Sequence, residues 1–305
     1  MKGLIAAAGR ERTAARPGPG AITAESLEAL ELAIARRVDG LLAGDYRSAF
    51  TGLGTELHQV RPYEPGDDVR RIDWNVTART GLPHVRVELA ERVLVTWLVF
   101  DASASMDFGT AERRKADVAE GVALAIGHAA TRRGNRLGLV TFGPDADSRW
   151  RRPRQGRRGL LLTLAALRQE PAGNGTLGQA LALLDGLAIQ RSLVVIVSDF
   201  RGRQDWHAPL LRVAGRHPTV AIEIRDPREQ ELADVGDLRL VDPETGRQLR
   251  VDTSDAQLRA RFAAAAQQER AGLVRMLASA GVRHTALSTE GDWLRPLAAF
   301  LKRAE

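Results

Sequence analysis

The chain has 305 residues, of which 44% are hydrophobic and 27% charged, and its net charge is +6. This balance is typical of a soluble globular protein with one large or two modest domains. The absence of cysteine excludes disulfides, thiolate metal sites and a cysteine nucleophile, and it fits a reducing compartment. No apolar run approaches the ~18 residues of a membrane span, so we expect a cytoplasmic protein without a membrane helix.

The first third of the chain differs in composition from the rest. Residues 1–22 contain the run PGPG, and their short apolar stretch is too soon followed by charge for a signal peptide, so we expect a flexible leader. Residues 24–44 have the spacing of apolar residues that predicts a helix. Residues 45–93 are dense in charge and glycine. We therefore expect a separate region at 23–93, with an N-terminal helix and an irregular charged segment.

From residue 94 onwards apolar strands alternate with helical stretches. The predicted strands are 94–100, 136–142, 192–198 and 218–224, and the predicted helices are 111–133, 159–169, 177–188 and 205–216. Alternation of this kind predicts the α/β class, with an open, mostly parallel, Rossmann-like sheet and helices on both faces.

The end of this second domain, residues 94–305, departs from the alternation. Two strand-like runs flank the turn sequence PETG and predict a β-hairpin insertion at about 236–254. A long helix is then predicted from Asp255, a credible N-cap, to about Ala280, and Gly281 ends it. A final strand and a final helix complete the domain.

Oxygen-bearing side chains follow two of the predicted strands. The run LVTWLVFDASAS leads directly into Asp101, Ser103 and Ser105, and the run SLVVIVSDF ends in Asp199. The loop GNGTLG places Thr176 just before a helix. Hydroxyl and carboxylate oxygens suit a hard cation such as Mg²⁺, and open α/β sheets bind ligands at the carboxyl ends of their strands. Taken alone, however, the DxSxS segment is equally compatible with a capped turn.

Together these three segments resemble the metal-ion-dependent adhesion site of von Willebrand factor A (vWA) domains, with DxSxS, a distant Thr and a distant Asp. The resemblance implies that Ser103, Ser105 and Thr176 touch the metal, and that Asp101 and Asp199 hold its water ligands. It implies Mg²⁺, with Mn²⁺ or Ca²⁺ as alternatives. It also implies binding rather than turnover, because a vacant coordination position accepts an Asp or Glu carboxylate from a partner protein.

A second motif, within residues 47–79, resembles the bacterial domain-of-unknown-function family fifty-eight. The pattern includes Gly52, Gly54, Gly66 and Ile72. Its charged and aromatic positions are Glu56, Arg61, Tyr63, Asp67, Asp68, Arg70, Asp73, Trp74 and Arg79. Genes of this family commonly lie beside those of MoxR-type AAA+ ATPases, which implies an adaptor or co-chaperone role in assembling or remodelling other proteins.

The charged motif has three physical interpretations. Bidentate pairs between arginines and carboxylates could fasten an irregular segment, with Trp74 and Tyr63 anchoring it against the sheet. Alternatively, the motif is a docking face for the ATPase. An acid/base site at Asp67, Asp68 and Asp73 is the weakest interpretation, because adjacent residues on an extended segment point in opposite directions.

Other functions have less support in the sequence. The run RWRRPRQGRRG at 149–159 suggests binding to nucleic acid or to an acidic surface, but a solvated hairpin or loop explains it more simply. No GxxxxGK[ST] or GxSxG motif supports an NTPase or a serine hydrolase. A phosphotransferase with Asp101 as its nucleophile would lack the second acid of haloacid dehalogenase-like DxDxT, because Ser103 takes that position. We therefore expect a protein-interaction module that is not an enzyme.

Overall fold

The computed structural model describes residues 5–6, 18–20, 56–89, 94–131, 135–143, 149–156, 159–161, 175–241 and 246–302. The chain divides into two compact units. The smaller unit is Asp39–Val93, and the larger unit consists of Met1–Val38 and Leu94–Glu305. The helix predicted at 24–44 and most of the helix predicted at 159–169 lie outside the described residues.

Strands and helices of the described residues are numbered in chain order. The strands are β1 (Ile5–Ala6), β2 (Glu56–Pro62), β3 (His84–Leu89), β4 (Val95–Asp101), β5 (Arg136–Phe142), β6 (Arg149–Gln155), β7 (Leu193–Ser198), β8 (Thr219–Arg225), β9 (Asp237–Val241), β10 (Gln248–Asp252) and β11 (Arg283–Ser288). The helices are α1 (Trp74–Thr80), α2 (Lys115–Ala130), α3 (Leu177–Leu187), α4 (His207–Arg216), α5 (Ala256–Ser279) and α6 (Leu294–Lys302).

The smaller unit contains the antiparallel pair β2–β3. Between these strands the chain forms a short 3-10 turn, Val69–Arg71, and the seven-residue helix α1. Among residues 60–86, whose burial is described, Val85 on β3 is the buried apolar residue. Polar contacts between its own side chains contribute to the shape of this segment.

The larger unit is built on a six-stranded sheet in the order β11-β8-β7-β4-β5-β6. All neighbouring pairs are parallel except β5–β6, which is antiparallel. The central strands β4 and β7 are buried along their whole length, as expected for apolar runs that are covered on both faces. The predicted α/β class with a mostly parallel sheet is confirmed.

Helices cover both faces of the sheet. Along β4, Leu98 and Phe100 pack with α2 and α6, whereas Trp97 and Val99 pack with α3, α4 and α5. This division follows from the geometry of a strand, in which successive side chains point to opposite faces. The two resulting cores hold the sheet rigidly, so loops at its edges start from fixed positions.

The predicted hairpin insertion is present as β9 and β10, which pair antiparallel. Unexpectedly, β1 adds a third strand through the pairing of Ile5 with Val241. Moreover, the indole N–H of Trp293 donates to the carbonyl oxygen of Pro19 at 2.9 Å. The described pieces of the segment expected to be a flexible leader, residues 5–6 and 18–20, thus contact the larger unit, and the rest of 1–22 lies outside the described residues. The free edge of β9 and the buried indole N–H each need a hydrogen-bonding partner, which the early residues provide.

The start and end of the long helix α5 follow the sequence signals. The side chain of Asp255 accepts hydrogen bonds from the backbone N–H groups of Gln257 and Leu258, as an N-cap does. Gly281 follows the helix with a φ of +66°, a conformation that glycine adopts without strain. Among the described helices, α5 included, none is both long enough and apolar enough to cross a bilayer.

Candidate functional site

Side chains from distant parts of the chain meet at the topological switch point of the sheet, where successive strands are added on opposite sides. In chain order the six strands follow the pattern 3-2-1-4-5-6, so the switch point lies between β4 and β7. Asp101 ends β4 and Ser198 ends β7, and the Ser198 hydroxyl donates to Asp101 Oδ2 at 2.5 Å. This is the carboxyl edge of the sheet, where open α/β proteins bind ligands.

The loop that carries Thr176 reaches the same edge through a contact between two glycines. The backbone N–H of Gly143, just after β5, donates to the carbonyl oxygen of Gly175 at 3.0 Å. A Cβ atom on Gly143 would lie 2.9 Å from the backbone N of Ser103, which is too close for any other residue. The Thr176 loop and the Ser103 loop therefore pack on either side of the same glycine.

The two serines of the DxSxS segment present their hydroxyls side by side. The Oγ atoms of Ser103 and Ser105 are 3.0 Å apart, and Ser105 is buried. The backbone N–H of Ser103 donates to Asp101 Oδ1 at 2.9 Å, which fixes the turn after β4. The segment is thus a capped turn, and that turn also gathers two hydroxyl oxygens in front of a buried carboxylate.

Thr176 begins helix α3 as its N-cap. Its hydroxyl accepts from the backbone N–H of Gln179 at 3.2 Å and donates to Asp205 Oδ2 at 2.6 Å. Gly178 provides space for Asp205, because a Cβ there would lie 2.7 Å from Asp205 Oδ1. Sequence reasoning missed Asp205, which lies in a loop without a recognisable spacing to the other site residues.

Asp199 is held by a buried lysine that sequence reasoning also missed. Lys115 Nζ, at the start of α2, lies 2.5 Å from Asp199 Oδ2 and 2.6 Å from Glu229 Oε1. The Lys115 side chain is fully buried. A signal was present in the sequence, since Lys115 is in phase with Val118 and Val122 on the apolar face of its helix. A lysine at such a position needs a buried carboxylate partner.

Burial and neighbouring charges shift the pKa values of Asp101, Asp199 and Lys115 in different directions. Burial, reinforced by the nearby charge of Asp199, raises the pKa of Asp101 to about 7. Burial alone would also raise the pKa of Asp199, but the Lys115 ammonium outweighs it and holds that pKa below its ordinary value. Similarly, Asp199 and Glu229 together raise the pKa of Lys115 against the effect of its burial. Asp101 is thus the carboxylate of this cluster that has no cationic partner among the described residues.

The turn after β7 adopts a rare backbone conformation. Phe200 has a φ of +56°, which side chains with a Cβ seldom adopt, and its backbone N–H donates to the Ser198 hydroxyl at 2.9 Å. Its ring packs edge-on against Trp206, with the ring centroids 5.8 Å apart. Such strain persists only where the surroundings impose it. Here it fixes Ser198 and Asp199 at the end of the strand.

The donor atoms at this edge suit a hard divalent cation. The hydroxyls of Ser103 and Ser105 are neutral oxygen ligands, and the buried carboxylate of Asp101 behind them provides negative charge. Within the described residues no group of three or more His, Cys, Asp or Glu side chains could hold a metal by itself. A metal at this edge would therefore depend on the hydroxyls, as the sequence pattern predicts.

In the smaller unit, the charged motif is fastened by its own side chains. Arg61 binds Asp67 through two hydrogen bonds, at 2.8 Å from Nη1 to Oδ2 and 2.7 Å from Nη2 to Oδ1. Asp68 accepts from the backbone N–H of Arg70 at 3.0 Å and thereby caps the 3-10 turn. Glu56 begins β2, opposite Leu89.

Asp73 holds helix α1 and strand β3 together within this motif. It is buried, caps α1 by accepting from the N–H groups of Asn75 and Val76, and accepts from Arg86 Nε at 2.9 Å. On the same helix, Arg79 donates to the backbone of Asn75 at 3.2 Å. Contacts of this kind are what the structural interpretation of the motif expects, in which pairs of arginines and carboxylates fasten the segment.

The two aromatic residues of the motif behave differently from each other. Tyr63 is half-buried, and its backbone N–H donates to the carbonyl of Pro83 at 2.8 Å. The side chain of Trp74 is 70% exposed, so the expectation that it anchors the segment is wrong. Helix α1 is held through the Asp73 carboxylate that precedes it, which leaves the indole of its first residue free to face outward.

The arginine-rich segment forms β6, the edge strand that pairs antiparallel with β5. Its arginines are exposed, and the Arg152 guanidinium lies 6.0 Å from the centre of the Trp150 ring. The run that was predicted to be a hairpin or loop is thus an exposed edge strand of the sheet. Residues 157–158 lie outside the described residues.

The sheet order and the loops at its switch point define an open α/β protein of vWA-like architecture. The family described as "Protein of unknown function DUF58" matches residues 59–272, which is more than half of the chain. The chain therefore belongs to the DUF58 family, in agreement with the motif around Asp73 and Trp74.

Relatives of high identity occur in mycobacteria, and each is named an uncharacterized protein. Proteins of Mycobacterium bovis and Mycobacterium tuberculosis are 44% identical over 281 residues, which covers 91% of this chain and 88% of each relative. A Mycobacterium avium protein is 41% identical over 150 residues, covering 49% of this chain and 88% of its own length.

Solved structures with a similar fold have much lower identity. A conserved hypothetical protein, BatB from Bacteroides thetaiotaomicron, is 11% identical with a TM-score of 0.43, covering 69% of this chain and 98% of its own. The VWA domain of SpRpn10 is 16% identical with a TM-score of 0.38, covering 68% and 94%. The assignment of the fold rests on the sheet itself and not on these two likenesses.

Proposed function

We propose that this protein is a metal-dependent protein-interaction module, in which Mg²⁺ at the carboxyl edge of the sheet accepts a carboxylate from a partner protein. Ser103, Ser105 and Thr176 would hold the metal, and Asp101 and Asp199 would orient its water ligands. When bound, the metal supplies a positive charge that neutral hydroxyls leave largely uncompensated, so an acidic side chain of a partner is the favoured further ligand.

One observation carries this proposal. The hydroxyls of Ser103 and Ser105 lie 3.0 Å apart in the turn that follows Asp101, whose buried carboxylate accepts hydrogen bonds from Ser103 and Ser198 and has no cationic partner among the described residues. Buried carboxylates are normally paired with a cation or bound to a metal. A cation at the hydroxyls would meet that requirement.

The surroundings of Asp101 favour binding over phosphoryl transfer. Asp101 is only 4% exposed, and each of its oxygens already accepts a hydrogen bond, from the Ser103 backbone and the Ser198 hydroxyl. A nucleophile must reach a phosphorus atom with a free lone pair. The hydroxyl of Ser103, which is half-buried, is more accessible than Asp101 and is better placed to meet a ligand.

The partner that we propose is a MoxR-type AAA+ ATPase, with this protein as its adaptor or co-chaperone in the cytoplasm. Support comes from membership of the DUF58 family and from the exposed Trp74 within the family's motif. A large aromatic side chain that is mostly exposed is a common feature of docking surfaces. The metal and Trp74 would then be two separate contacts with partner proteins.

The experiment that tests the metal site is a calorimetric titration with Mg²⁺. Wild-type protein and the Ser103→Ala/Ser105→Ala variant are compared, because the variant removes both hydroxyls and leaves the turn bond of Asp101 to the backbone. We expect saturable binding by the wild type and none by the variant. The control is Ser192→Ala, which removes a hydroxyl before β7, at the opposite edge of the sheet, and should bind as the wild type does.

Absence of binding in the wild type has two explanations that a second titration separates. If the partner's carboxylate is needed to complete the site, the same titration with the ATPase present recovers Mg²⁺ binding. If binding is still absent, the metal-site proposal fails. For the partner itself, co-purification with the ATPase should require Mg²⁺ and be lost in EDTA. Association that survives EDTA and the serine variant would contradict metal-dependent docking.

A further inference from the structure

A buried cluster of charged side chains adjoins the proposed metal site and includes two residues, Lys115 and Glu229, that are not among the proposed metal ligands. Lys115 Nζ contacts Asp199 Oδ2 at 2.5 Å and Glu229 Oε1 at 2.6 Å, and all three side chains are at most 2% exposed. Arg201 Nε adds a weaker contact with Glu229 Oε1 at 3.5 Å. The ammonium thus joins the end of β7, which bears Asp199, to the turn after β8, which bears Glu229.

The position of Glu229 in this cluster is fixed by a separate set of hydrogen bonds. Glu229 ends the short turn Pro227–Glu229, and Asp226 caps that turn. Asp226 in turn accepts from the backbone N–H of Thr110 at 2.7 Å and from the Thr289 hydroxyl at 2.8 Å. Because the turn is anchored on both sides, Glu229 cannot readily move away from Lys115. The lysine is therefore shared between two fixed carboxylates.

We propose that Lys115 is a built-in cation that lowers the affinity of the sheet edge for divalent metal by acting on Asp199, and that Glu229 moderates this effect. The inference rests on the proposed function of the site. Lys115 is a positioning residue, since its contact is with Asp199 and the metal would sense it only through its charge. It occupies Asp199 Oδ2, while Oδ1 accepts from the backbone N–H of Arg201 at 3.0 Å.

The charge of the cluster predicts the direction of each change. With all groups ionised, the cations Lys115 and Arg201 face the carboxylates Asp101, Asp199 and Glu229, so one negative charge is in excess. Removing Lys115 increases that excess by one, whereas neutralising Glu229 removes it. Removing both restores the original excess. A divalent cation nearby must respond to these changes in sign, because the interior screens charge weakly.

The test is a double-mutant cycle on the full chain, read by Mg²⁺ calorimetry and by Mn²⁺ binding in electron paramagnetic resonance. We expect Lys115→Met to bind metal about tenfold more tightly and Glu229→Gln about tenfold more weakly. The double variant Lys115→Met/Glu229→Gln should return to within about threefold of the wild type. Arg216→Met is the control, because it breaks an ion pair with Asp185 at the opposite edge and should leave the affinity unchanged.

The outcomes separate this inference from the proposed function. If metal binding is absent from every variant, the proposed function fails. If the wild type binds metal through Ser103 and Ser105, but Lys115→Met and Glu229→Gln leave the affinity unchanged or shift it in one direction, only the role of Lys115 is overturned. A purely structural lysine predicts that second result. Should Lys115→Met not fold, the weaker binding of Glu229→Gln and the near-normal binding of the double variant still decide the question.

Discussion

Carboxylates are used in opposite ways in the two units of this protein. In the smaller unit Asp67 and Asp73 each have an arginine partner, Arg61 and Arg86, and each also accepts backbone N–H groups. At the sheet edge of the larger unit, Lys115 is shared by Asp199 and Glu229, and within the described part of the chain Asp101 has no cation of its own. Paired carboxylates fasten the charged segment of the smaller unit, whereas the under-compensated cluster of the larger unit would attract the cation that we propose there.

The largest effect that would sharpen this comparison is expected from Asp101→Ala. Loss of the carboxylate behind Ser103 and Ser105 should weaken Mg²⁺ binding roughly 10- to 100-fold, as loss of groups that orient metal ligands does. The fold should be retained, because the substitution removes a buried carboxylate that repels the nearby carboxylate of Asp199. Calorimetry and circular dichroism measure the two effects. Normal Mg²⁺ binding by Asp101→Ala would show that this carboxylate does not attract the metal. The control is Asp252→Ala, on the exposed hairpin.

The next effect concerns Glu223, a buried carboxylate of β8 that is fully paired, with Arg225 and with His284 at 2.8 Å. Burial would raise its pKa, but these partners outweigh burial and lower it from 4.5. Since the pKa is lower in the folded state, the stabilisation is complete above about pH 4.5 and is lost as the pH falls further. We expect Glu223→Gln to cost about 2 kcal/mol at pH 7, and less at pH 3.5.

Urea unfolding of the wild type and of Glu223→Gln at both pH values measures this difference. A difference that is the same at pH 7 and pH 3.5 would show that the charge of Glu223 is not what its partners stabilise. The result matters for the comparison, because it shows what a paired carboxylate contributes inside the same sheet that holds the cluster.

A smaller effect is expected from Asp73→Ala in the charged motif. The variant loses the N-cap of α1 and the partner of Arg86, so the melting temperature should fall by roughly 2–4 °C. Hydrogen exchange should show loss of protection at Asn75 and Val76, and Mg²⁺ binding should be unchanged. If the variant is as stable as the wild type but loses the ATPase partner, the motif is a docking face and the structural interpretation is wrong.

The smallest effect on stability is expected from Trp74→Ala. Because the indole is 70% exposed, its removal should change the free energy of unfolding by less than about 0.5 kcal/mol. In a binding assay with the AAA+ ATPase, however, the variant should bind more weakly than the wild type. A drop in stability like that of Asp73→Ala would instead assign Trp74 a structural role.

Much of the larger unit could be predicted from its sequence because its signals are local. The apolar runs of β4 and β7 and the cap at Asp255 depend on residues close together in the chain, and they lie where expected. The positions of Asp101, Ser103 and Ser105 at a sheet edge follow from the same runs. The contact of β1 with β9 did not follow, because a pairing between residues 5 and 241 has no local signal.

Three residues near the site were not predicted from the sequence, and the physical reason is the same. Lys115, Asp205 and Glu229 reach the edge through loops and helix ends whose positions depend on the whole sheet. Lys115 was visible only as a charged residue on an apolar helix face. Trp74 was misjudged because large aromatic residues usually pack inward, and the polar fastening by Asp73 removed the need for that.

The strand order also determines when the proposed site can exist during folding. Its groups come from the ends of β4 and β7, the loop before α3 and the turn after β8, so it is complete only when these parallel strands have paired. Parallel pairing is slow, because each strand must await the crossover that precedes it. A ribosome-bound chain that has not yet reached residue 229 lacks part of the cluster. Metal binding at this edge would therefore report that β4 and β7 have paired.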